Sequence, residues 1–409
     1  MAQPIQSKTA RALTAGLGIG IGIGALVSIA SSGLAVYFAR KVVTPGKAKN
    51  DVRILHVEGF DDDMIIHLEA TPDTLVPGTY GLYFGNGTDE GFARIGDLIE
   101  YDPVSATVSR RVDTVLRGDI RHASVGRWTG TVHMGPEDLY LPCENIVISS
   151  DVGALPSWFL PTTAAQPSDT WAILIHGRGG TRRETLRAAA VLDRVGIPSI
   201  AMSYRNDPEA ERHQTYGLGD TEWLDVDRAI DFALANGARR IVLFGWSMGA
   251  AIAFQTASRG RHADSIVAMV LDGPVVDWYD VLDHQARLNL LPTPIARLTL
   301  QMITQPWARR LTGLETPLDL DRMDWVKRAA DLRVPTLLIH SEDDEFVPVG
   351  PSRALAGFRR DLVTMPRYTK ARHTKEWNVD RLAWEDDVAR FLRSLETQAQ
   401  HEGAVAFDG

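Results

Sequence analysis

Ser247 lies between Gly245 and Gly249 in a G-x-S-x-G pattern, at the junction of two predicted elements. The apolar run 240–244 predicts a buried strand, and 250–258 has the pattern of a helix. A serine on a sharp strand-to-helix turn is exposed above the sheet, and small flanking residues relieve the crowding. The amino terminus of the following helix stabilises negative charge that develops there. Ser247 is therefore the candidate nucleophile.

A serine hydroxyl is a weak nucleophile unless a base removes its proton, and the base needs an acid to orient it. Only His373 and His401 follow the last predicted strand, 335–340. His401 lies in the tail beyond the last predicted helix, 377–395, where nothing would fix its position. His373 lies in the loop just before that helix and is the predicted base.

The orienting acid is expected on the loop that follows strand 335–340. This loop reads Ser-Glu-Asp-Asp-Glu over 341–345, so several carboxylates crowd at the end of the strand. One of them stands where the imidazole needs a partner. From spacing alone, Asp343 and Asp344 are nearly equal candidates.

An oxyanion that forms during acyl transfer needs N–H donors that are already in place. The glycine-rich loop 176–180 follows the predicted strand 171–175 and allows the chain to curl over the serine. The backbone N–H groups of Arg178 and Met248 are the predicted donors. Phosphate binding is the alternative for this loop, but the Lys-Ser/Thr of a P-loop is absent.

The part of the chain after about residue 146 alternates short apolar strands with helical patterns, which predicts a mostly parallel sheet covered by helices. In such sheets, functional residues lie at the carboxyl ends of the strands. The predicted strands are 171–176, 199–204, 240–245, 266–272 and 335–340, and the predicted helices are 184–195, 221–236, 248–258 and 377–395.

Residues 51–144 favour short strands separated by turn signals, which predicts a small β-rich accessory domain. The strands expected there are 52–56, 64–69, 80–84 and 107–115. The sequence predicts no catalytic residues in this region. Residues 39–50 read as a linker, and 396–409 as a flexible tail.

The segment 13–38 carries no charged residue and is long enough for a helix that crosses a bilayer. We predict a single-pass anchor, with a cleaved signal peptide as the alternative. Basic residues are more numerous after the segment than before it, which favours a cytoplasmic body. Gly16, Gly20 and Gly24 share one helix face, so the helix could self-associate through close backbone contact.

Composition excludes several other classes of protein. The chain of 409 residues has 43 basic and 52 acidic side chains and a net charge of −9, so no basic surface for nucleic acid is expected. Its single cysteine, Cys143, cannot form an internal disulfide, and no Cys/His cluster has zinc spacing. We expect neither a metal nor a cofactor.

Over about residues 146–395 the chain resembles the α/β-hydrolase superfamily. The motifs that carry the resemblance are His176-Gly177-x-Gly-Gly, Gly245-x-Ser247-x-Gly249, His340-x-x-x-Asp344-x-x-Val347-Pro348 and the late loop histidine His373. Their order along the chain, Ser then Asp then His, is the order of that family. The resemblance implies Asp344 as the acid, although Ser341 replaces the usual glycine and leaves Asp343 open. The segment 147–161 is similar to the opening hairpin of esterase and prolyl-oligopeptidase-like domains.

The resemblance implies an α/β-hydrolase fold over 145–395 with a helical cap inserted at about 276–328. Apolar residues recur in the cap at helical spacing and would either pack on the core or line an acyl pocket: Leu291, Ile295, Leu298, Met302, Ile303, Trp307 and Leu311. The expected function is hydrolysis of a small-molecule carboxylic ester, such as an acyl ester or thioester. A serine peptidase or amidase is the alternative, and a non-enzymatic scaffold is a third reading.

Overall fold

The computed structural model describes residues 32–46, 49–60, 63–85, 90–212 and 214–407. Within these ranges the strands, numbered in chain order, are β1 (Val52–Glu58), β2 (Ile65–Glu69), β3 (Tyr80–Phe84), β4 (Gly91–Asp102), β5 (Thr107–Arg117), β6 (Val125–Thr129), β7 (Glu144–Ser150), β8 (Gly153–Leu160), β9 (Thr170–Ile175), β10 (Ser199–Met202), β11 (Arg240–Trp246), β12 (Ile266–Asp272), β13 (Thr336–Ser341), β14 (Val363–Thr364) and β15 (Arg367–Tyr368).

The helices are α1 (32–43), α2 (Ala189–Arg194), α3 (Trp223–Ala235), α4 (Met248–Arg259), α5 (Trp278–Leu288), α6 (Thr293–Thr304), α7 (Arg309–Thr312), α8 (Gly350–Phe358), α9 (Glu376–Val379) and α10 (Arg381–Phe407). The longest 3₁₀ segment, Arg182–Ala188, leads directly into α2. Helix α10 extends beyond residue 395, where the sequence pattern predicted its end.

The first strands form a closed antiparallel barrel. Among the described residues its strand order is β1-β2-β5-β4-β3-β6, and β6 pairs with β1 to close it. Alternate side chains of these strands fill the interior, as expected for strands with one buried face. Strands β4 and β6 were not predicted: β4 carries glycines and charges, and bulges interrupt its pairing with β5. The small β-rich domain predicted from the sequence is therefore, in the described part of the chain, a closed barrel of six strands.

The remaining strands form one sheet in the order β14-β13-β12-β11-β9-β10-β8-β7, with β15 beside β13. Strands β9, β11, β12 and β13 are parallel, whereas β7 and β8 form an antiparallel hairpin at one edge. Every residue of β9 and of β13 is buried. Such strands read as continuous apolar runs because both sheet faces are covered, which is why the sequence pattern predicted them.

Helices cover both faces of this sheet. Side chains of α2 and α10 pack against alternate residues of the central strands in one continuous apolar cluster. Helices α3 and α4 contact β9, and α4 also follows β11 directly. This layered arrangement confirms the predicted α/β-hydrolase fold and brings the carboxyl ends of β9, β11 and β13 to one edge.

The helix α1 and the segment Gln285–Leu318 belong to one compact unit, and Pro45–His284 with the residues from Asp319 onward form another. Within the first unit, Arg40 Nε donates to the carbonyl of Leu311 at 2.7 Å. Met302 and Ile303 of the predicted apolar stripe are buried, whereas Trp307 is 59% exposed. The stripe is therefore only partly a packing surface.

The single-pass membrane placement predicted from the sequence is wrong. Within the described ranges, no helix is both long enough and apolar enough to cross a bilayer. The helical residues 32–43 would span about 18 Å, against a hydrocarbon core of about 30 Å. The rest of the predicted span, 13–31, lies outside the described residues. Gly16, Gly20 and Gly24 lie in this part, so self-association of a helix through them stays a prediction.

Candidate active site

Ser247 occupies a strained turn between β11 and α4. Its backbone angles are φ 53° and ψ −114°, a left-handed φ that costs a non-glycine residue about 1–3 kcal/mol. A Cβ at Gly249 would lie 2.1 Å from the carbonyl oxygen of Ile175, so only glycine allows α4 to approach β9 this closely. The neighbouring chain supports the turn, because Ser247 N–H donates to the carbonyl of Asp272 at 2.9 Å.

His373 lies between the Ser247 hydroxyl and a carboxylate. Its Nε2 is 2.9 Å from Ser247 Oγ, and its Nδ1 is 2.7 Å from Asp344 Oδ2. The Nδ1–H donates to the carboxylate, which leaves the Nε2 lone pair directed at the hydroxyl proton. These three side chains, separated by up to 126 residues, form a continuous hydrogen-bonded series.

The Asp344 carboxylate has four hydrogen-bonding neighbours. Oδ1 accepts the N–H groups of Phe346 and Val347 at 2.9 and 2.8 Å, and Oδ2 lies 3.2 Å from His340 Nε2 in addition to its contact with His373. Burial alone would raise the pKa of Asp344. The positive charge of His373 and the hydrogen bonds from both histidines outweigh burial and hold the pKa well below its usual range.

Asp343, the other candidate acid, faces solvent. Its side chain is 53% exposed and lies 3.7 Å from the guanidinium of Arg372. No contact between Asp343 and the His373 ring occurs within the described residues. The structure therefore brings Asp344, and not Asp343, to the imidazole.

The loop that contains Arg178 lies against the serine. A Cβ at Gly177 would be 3.2 Å from Ser247 Cβ, so the glycine allows the loop backbone to approach the nucleophile. Arg178 follows Gly177, and its guanidinium stacks on Tyr216 at 4.8 Å. Met248 is buried and begins α4, where N–H groups have no partner within the helix. The two predicted oxyanion donors thus lie on the two segments that flank Ser247.

A buried pair that the sequence analysis missed fixes this loop. His176 Nε2 lies 2.9 Å from Asp207 Oδ2, and the His176 ring stacks on Tyr204 at 4.2 Å. Burial lowers the pKa of His176, but the Asp207 carboxylate outweighs it and raises the pKa. Asp207 follows strand β10, so the rule that polar residues collect at the carboxyl ends of strands could have found it.

Two buried carboxyl groups, Asp272 and Glu376, are electrostatic neighbours of His373 and Asp344, respectively. Asp272 Oδ2 accepts the indole N–H of Trp384 at 2.7 Å, and Glu376 Oε1 accepts the N–H of Ser341 at 2.8 Å. Among the described residues, the other oxygen of each group has no hydrogen-bond donor. Burial and the neighbouring Asp272 raise the pKa of Glu376 well above its usual range.

No group of three or more metal-ligating side chains occurs in the described part of the chain. The chemistry available at this site is that of a serine, a histidine and a carboxylate beside two backbone donors. This constellation is suited to acyl transfer through a covalent intermediate.

Comparison with known proteins agrees with the fold. Residues 172–398, more than half of the chain, match the model of the alpha/beta hydrolase family, and residues 53–129 match a domain of unknown function (DUF8805). The second match covers most of the barrel.

A curated relative is 2-succinyl-6-hydroxy-2,4-cyclohexadiene-1-carboxylate synthase from Yersinia pseudotuberculosis serotype O:1b (strain IP 31758). It is 27% identical over 170 residues, which cover 41% of this chain and 54% of the relative. The chain thus spans about half the length of this curated relative.

The hydrolase region shares its fold with a solved structure. The esterase Pf2001 from Pyrococcus furiosus is 19% identical with a TM-score of 0.50, and the alignment covers 64% of this chain and 94% of that one. The esterase RhEst1 from Rhodococcus sp. ECU1013 is 17% identical with a TM-score of 0.42, covering 62% and 99%. With its family match, strand order and matching sequence motifs, this chain belongs to the alpha/beta hydrolase family.

Proposed function

We propose that this protein is a serine hydrolase that cleaves small-molecule carboxylic esters through an acyl-enzyme. The observation that carries the proposal is the position of His373, within hydrogen-bonding distance of both Ser247 Oγ and Asp344 Oδ2. A histidine with only a structural role does not need a buried carboxylate on one nitrogen and the hydroxyl of a serine in a strained turn on the other. General-base activation of a serine needs both.

In the first half of the reaction, Ser247 Oγ attacks the carbonyl carbon and its proton moves to His373 Nε2. Asp344 stabilises the imidazolium and keeps Nδ1 protonated, while the N–H groups of Arg178 and Met248 donate to the oxyanion. The carbon–oxygen bond to the alcohol then breaks, and His373 returns the proton to the leaving oxygen. The product is an ester between the acyl group and Ser247.

In the second half, water replaces the alcohol. His373 takes a proton from the water as the water oxygen attacks the acyl carbon, and the bond to Ser247 Oγ breaks. The proton returns to Ser247, and the carboxylic acid leaves. No step requires a group beyond the triad and the two backbone donors.

We take the ester as the substrate class because the Pyrococcus furiosus protein that shares the fold is an esterase. The Yersinia pseudotuberculosis relative carries the name of a synthase, so a different reaction on the same residues is the second candidate. A peptidase or amidase activity, expected as an alternative from the hairpin β7–β8, would use the same residues on an amide carbonyl.

A substrate panel tests for hydrolysis and separates an esterase from a peptidase or amidase. Purified protein is assayed with p-nitrophenyl esters of increasing acyl length, an acyl thioester and aminoacyl amides, in parallel with Ser247→Ala and with Ser394→Ala as a control serine. The proposal predicts ester turnover that is lost only in Ser247→Ala. Turnover of amides alone would assign a peptidase, and no turnover in any class would contradict hydrolysis.

A further inference from the structure

The barrel contacts the turn that carries His373. Lys375 N–H donates to the carbonyl of Arg372 at 3.0 Å and closes this turn, so His373 and Thr374 are its central residues. Thr374 has a φ of 51°, a left-handed conformation that a β-branched residue adopts only when its surroundings impose it. Contacts with neighbouring residues must therefore hold the turn in this conformation.

One barrel carboxylate reaches both corner residues of the turn. Asp73 Oδ1 lies 2.7 Å from Lys375 Nζ and 3.9 Å from Arg372 Nε. Both basic side chains are largely buried, with exposed fractions of 15% and 17%. Ion pairs in such partly desolvated positions are less screened by solvent than surface pairs are. Arg372 also lies 3.2 Å from Glu345, on the loop that carries Asp344.

Asn378 makes a second connection to the barrel, three residues beyond the turn. Its Nδ2 donates to the carbonyls of Thr79 and Gly130 at 2.7 and 2.9 Å, and its own carbonyl accepts Thr79 N–H at 3.0 Å. Its Oδ1 accepts from Arg187 Nη1, which also donates to the carbonyl of Thr374 at 2.6 Å. This network ties the strained residue to the barrel.

The barrel loop that supplies these contacts, residues 71–79, is itself held from inside the barrel. Arg110 is fully buried, and its guanidinium donates to the carbonyls of Thr74, Val76 and Gly78 at 2.7–2.9 Å. It also lies over the rings of Tyr80 and Trp128 at 5.4 and 5.3 Å. Arg110 also donates to the carbonyl of Gly96 on β4, so it connects the loop that carries Asp73 to the wall of the barrel.

We infer that the barrel is a positioning domain for the proposed active site: Asp73, by bridging Arg372 and Lys375, fixes the turn that presents His373 to Ser247. The inference rests on the proposed function, because it concerns the orientation of the proposed base. Asp73 touches no reacting atom and acts only through the turn. Removing its charge should therefore slow the proton transfers that His373 carries out, with little effect on how the substrate binds.

The test compares full-length variants for kcat, KM, thermal unfolding and the fraction of protein that a fluorophosphonate labels. Asp73→Asn keeps the shape of the side chain and removes its charge, and Lys375→Met removes the partner. Asp73→Glu restores the charge. Glu90→Gln is the matched control, because Glu90 lies 3.4 Å from Arg127 in a barrel ion pair that does not involve the turn.

We expect Asp73→Asn and Lys375→Met each to lower kcat about tenfold, less than the roughly 10²-fold cost of a 1 Å misplacement, with KM within about twofold of wild type. The double variant Asp73→Asn/Lys375→Met should lose no more kcat than either single variant does, because both changes remove the same ion pair. Asp73→Glu should recover most of kcat, and Glu90→Gln should match wild type. A general folding defect would instead lower the labelled fraction and the unfolding temperature together.

Wild-type labelling with an unchanged kcat in Asp73→Asn and Lys375→Met would overturn this inference and leave the proposed function standing. A loss of kcat matched by an equal loss in the fraction labelled at completion and by a lower unfolding temperature would also overturn it, because the role of Asp73 would then be stability alone. Wild-type protein that is neither labelled nor active would overturn the proposed function and the positioning role with it.

Discussion

His340 Nε2 lies 3.2 Å from Asp344 Oδ2, the same oxygen that accepts the N–H of His373. Ser352 Oγ lies 2.8 Å from His340 Nδ1, and the carbonyl of Val347 lies 3.1 Å from Nε2. This pattern fixes the tautomer, because Nε2 must carry the proton that faces the two acceptors. His340 thus supports the carboxylate oxygen that accepts the N–H of His373.

The geometry predicts different effects for the two adjacent aspartates. Asp344→Asn should lower kcat for ester hydrolysis by about 10³–10⁴-fold, because a neutral amide no longer holds the His373 tautomer. Asp343→Asn, at an exposed position, should stay within about threefold of wild type. Steady-state kinetics on both variants measure this. Equal losses in the two would show that the loop rearranges and that Asp344 is not the specific acid.

We expect the buried His133 to make the folded protein less stable at acidic pH. Burial, together with the positive charge of Arg94, lowers its pKa to about 4. Between that value and the unfolded pKa of about 6.5, the unfolded chain binds a proton that the folded chain does not, so stability falls as the pH falls.

At pH 5 this linkage costs about 2 kcal/mol relative to pH 7.5. His133→Gln, which is neutral throughout, should lose correspondingly less stability over this range. Thermal unfolding of both proteins at the two pH values measures the difference. Parallel loss of stability in the two proteins would mean that His133 does not set this pH dependence.

We expect Glu376 to give the opposite pH dependence of folding stability. Its pKa is raised well above its usual value by burial and by Asp272, so the folded protein keeps a proton that the unfolded chain releases above about pH 4.5. Stability from this group is present at low pH and is lost as the pH rises through the folded pKa. The Glu376→Gln side chain is neutral at every pH, like the protonated acid, so this variant should not lose that stability as the pH rises.

We therefore expect the unfolding temperature of Glu376→Gln to rise relative to wild type between pH 5 and pH 8, with kcat within about threefold. Glu376→Ala is the contrasting variant, because it leaves the buried N–H of Ser341 without its acceptor and should destabilise at every pH. A Glu376→Gln protein that loses stability on going to pH 8 would show that Glu376 is ionised when folded.

The sequence predicted the hydrolase sheet well because β9, β11, β12 and β13 are apolar along their whole length. The positions at which those strands end in turn indicated the helix after Ser247 and the loop that carries His373. Asp343 and Asp344 could not be separated by spacing, since the choice depends on which side chain turns inward at the end of β13. The family pattern, rather than the local sequence, favoured the residue that meets His373.

Other features depend on contacts that no local pattern encodes. The link from Asp73 to Lys375 joins residues 302 positions apart and exists only because the barrel loop meets the His373 turn. The apolar run at 13–38 was interpreted as a membrane helix from hydropathy alone. The described end of this run, residues 32–38, instead contributes Ala35 to a buried surface.

The central claim is that His373 activates Ser247, and covalent labelling tests it most directly. Full-length protein is treated with a fluorophosphonate, and the modified peptide is identified by mass spectrometry in wild type, Ser247→Ala and His373→Gln. The account predicts one modification, on Ser247, absent from Ser247→Ala and slowed by at least about 10³-fold in His373→Gln. Labelling that persists in Ser247→Ala, or that proceeds at the wild-type rate in His373→Gln, would contradict it.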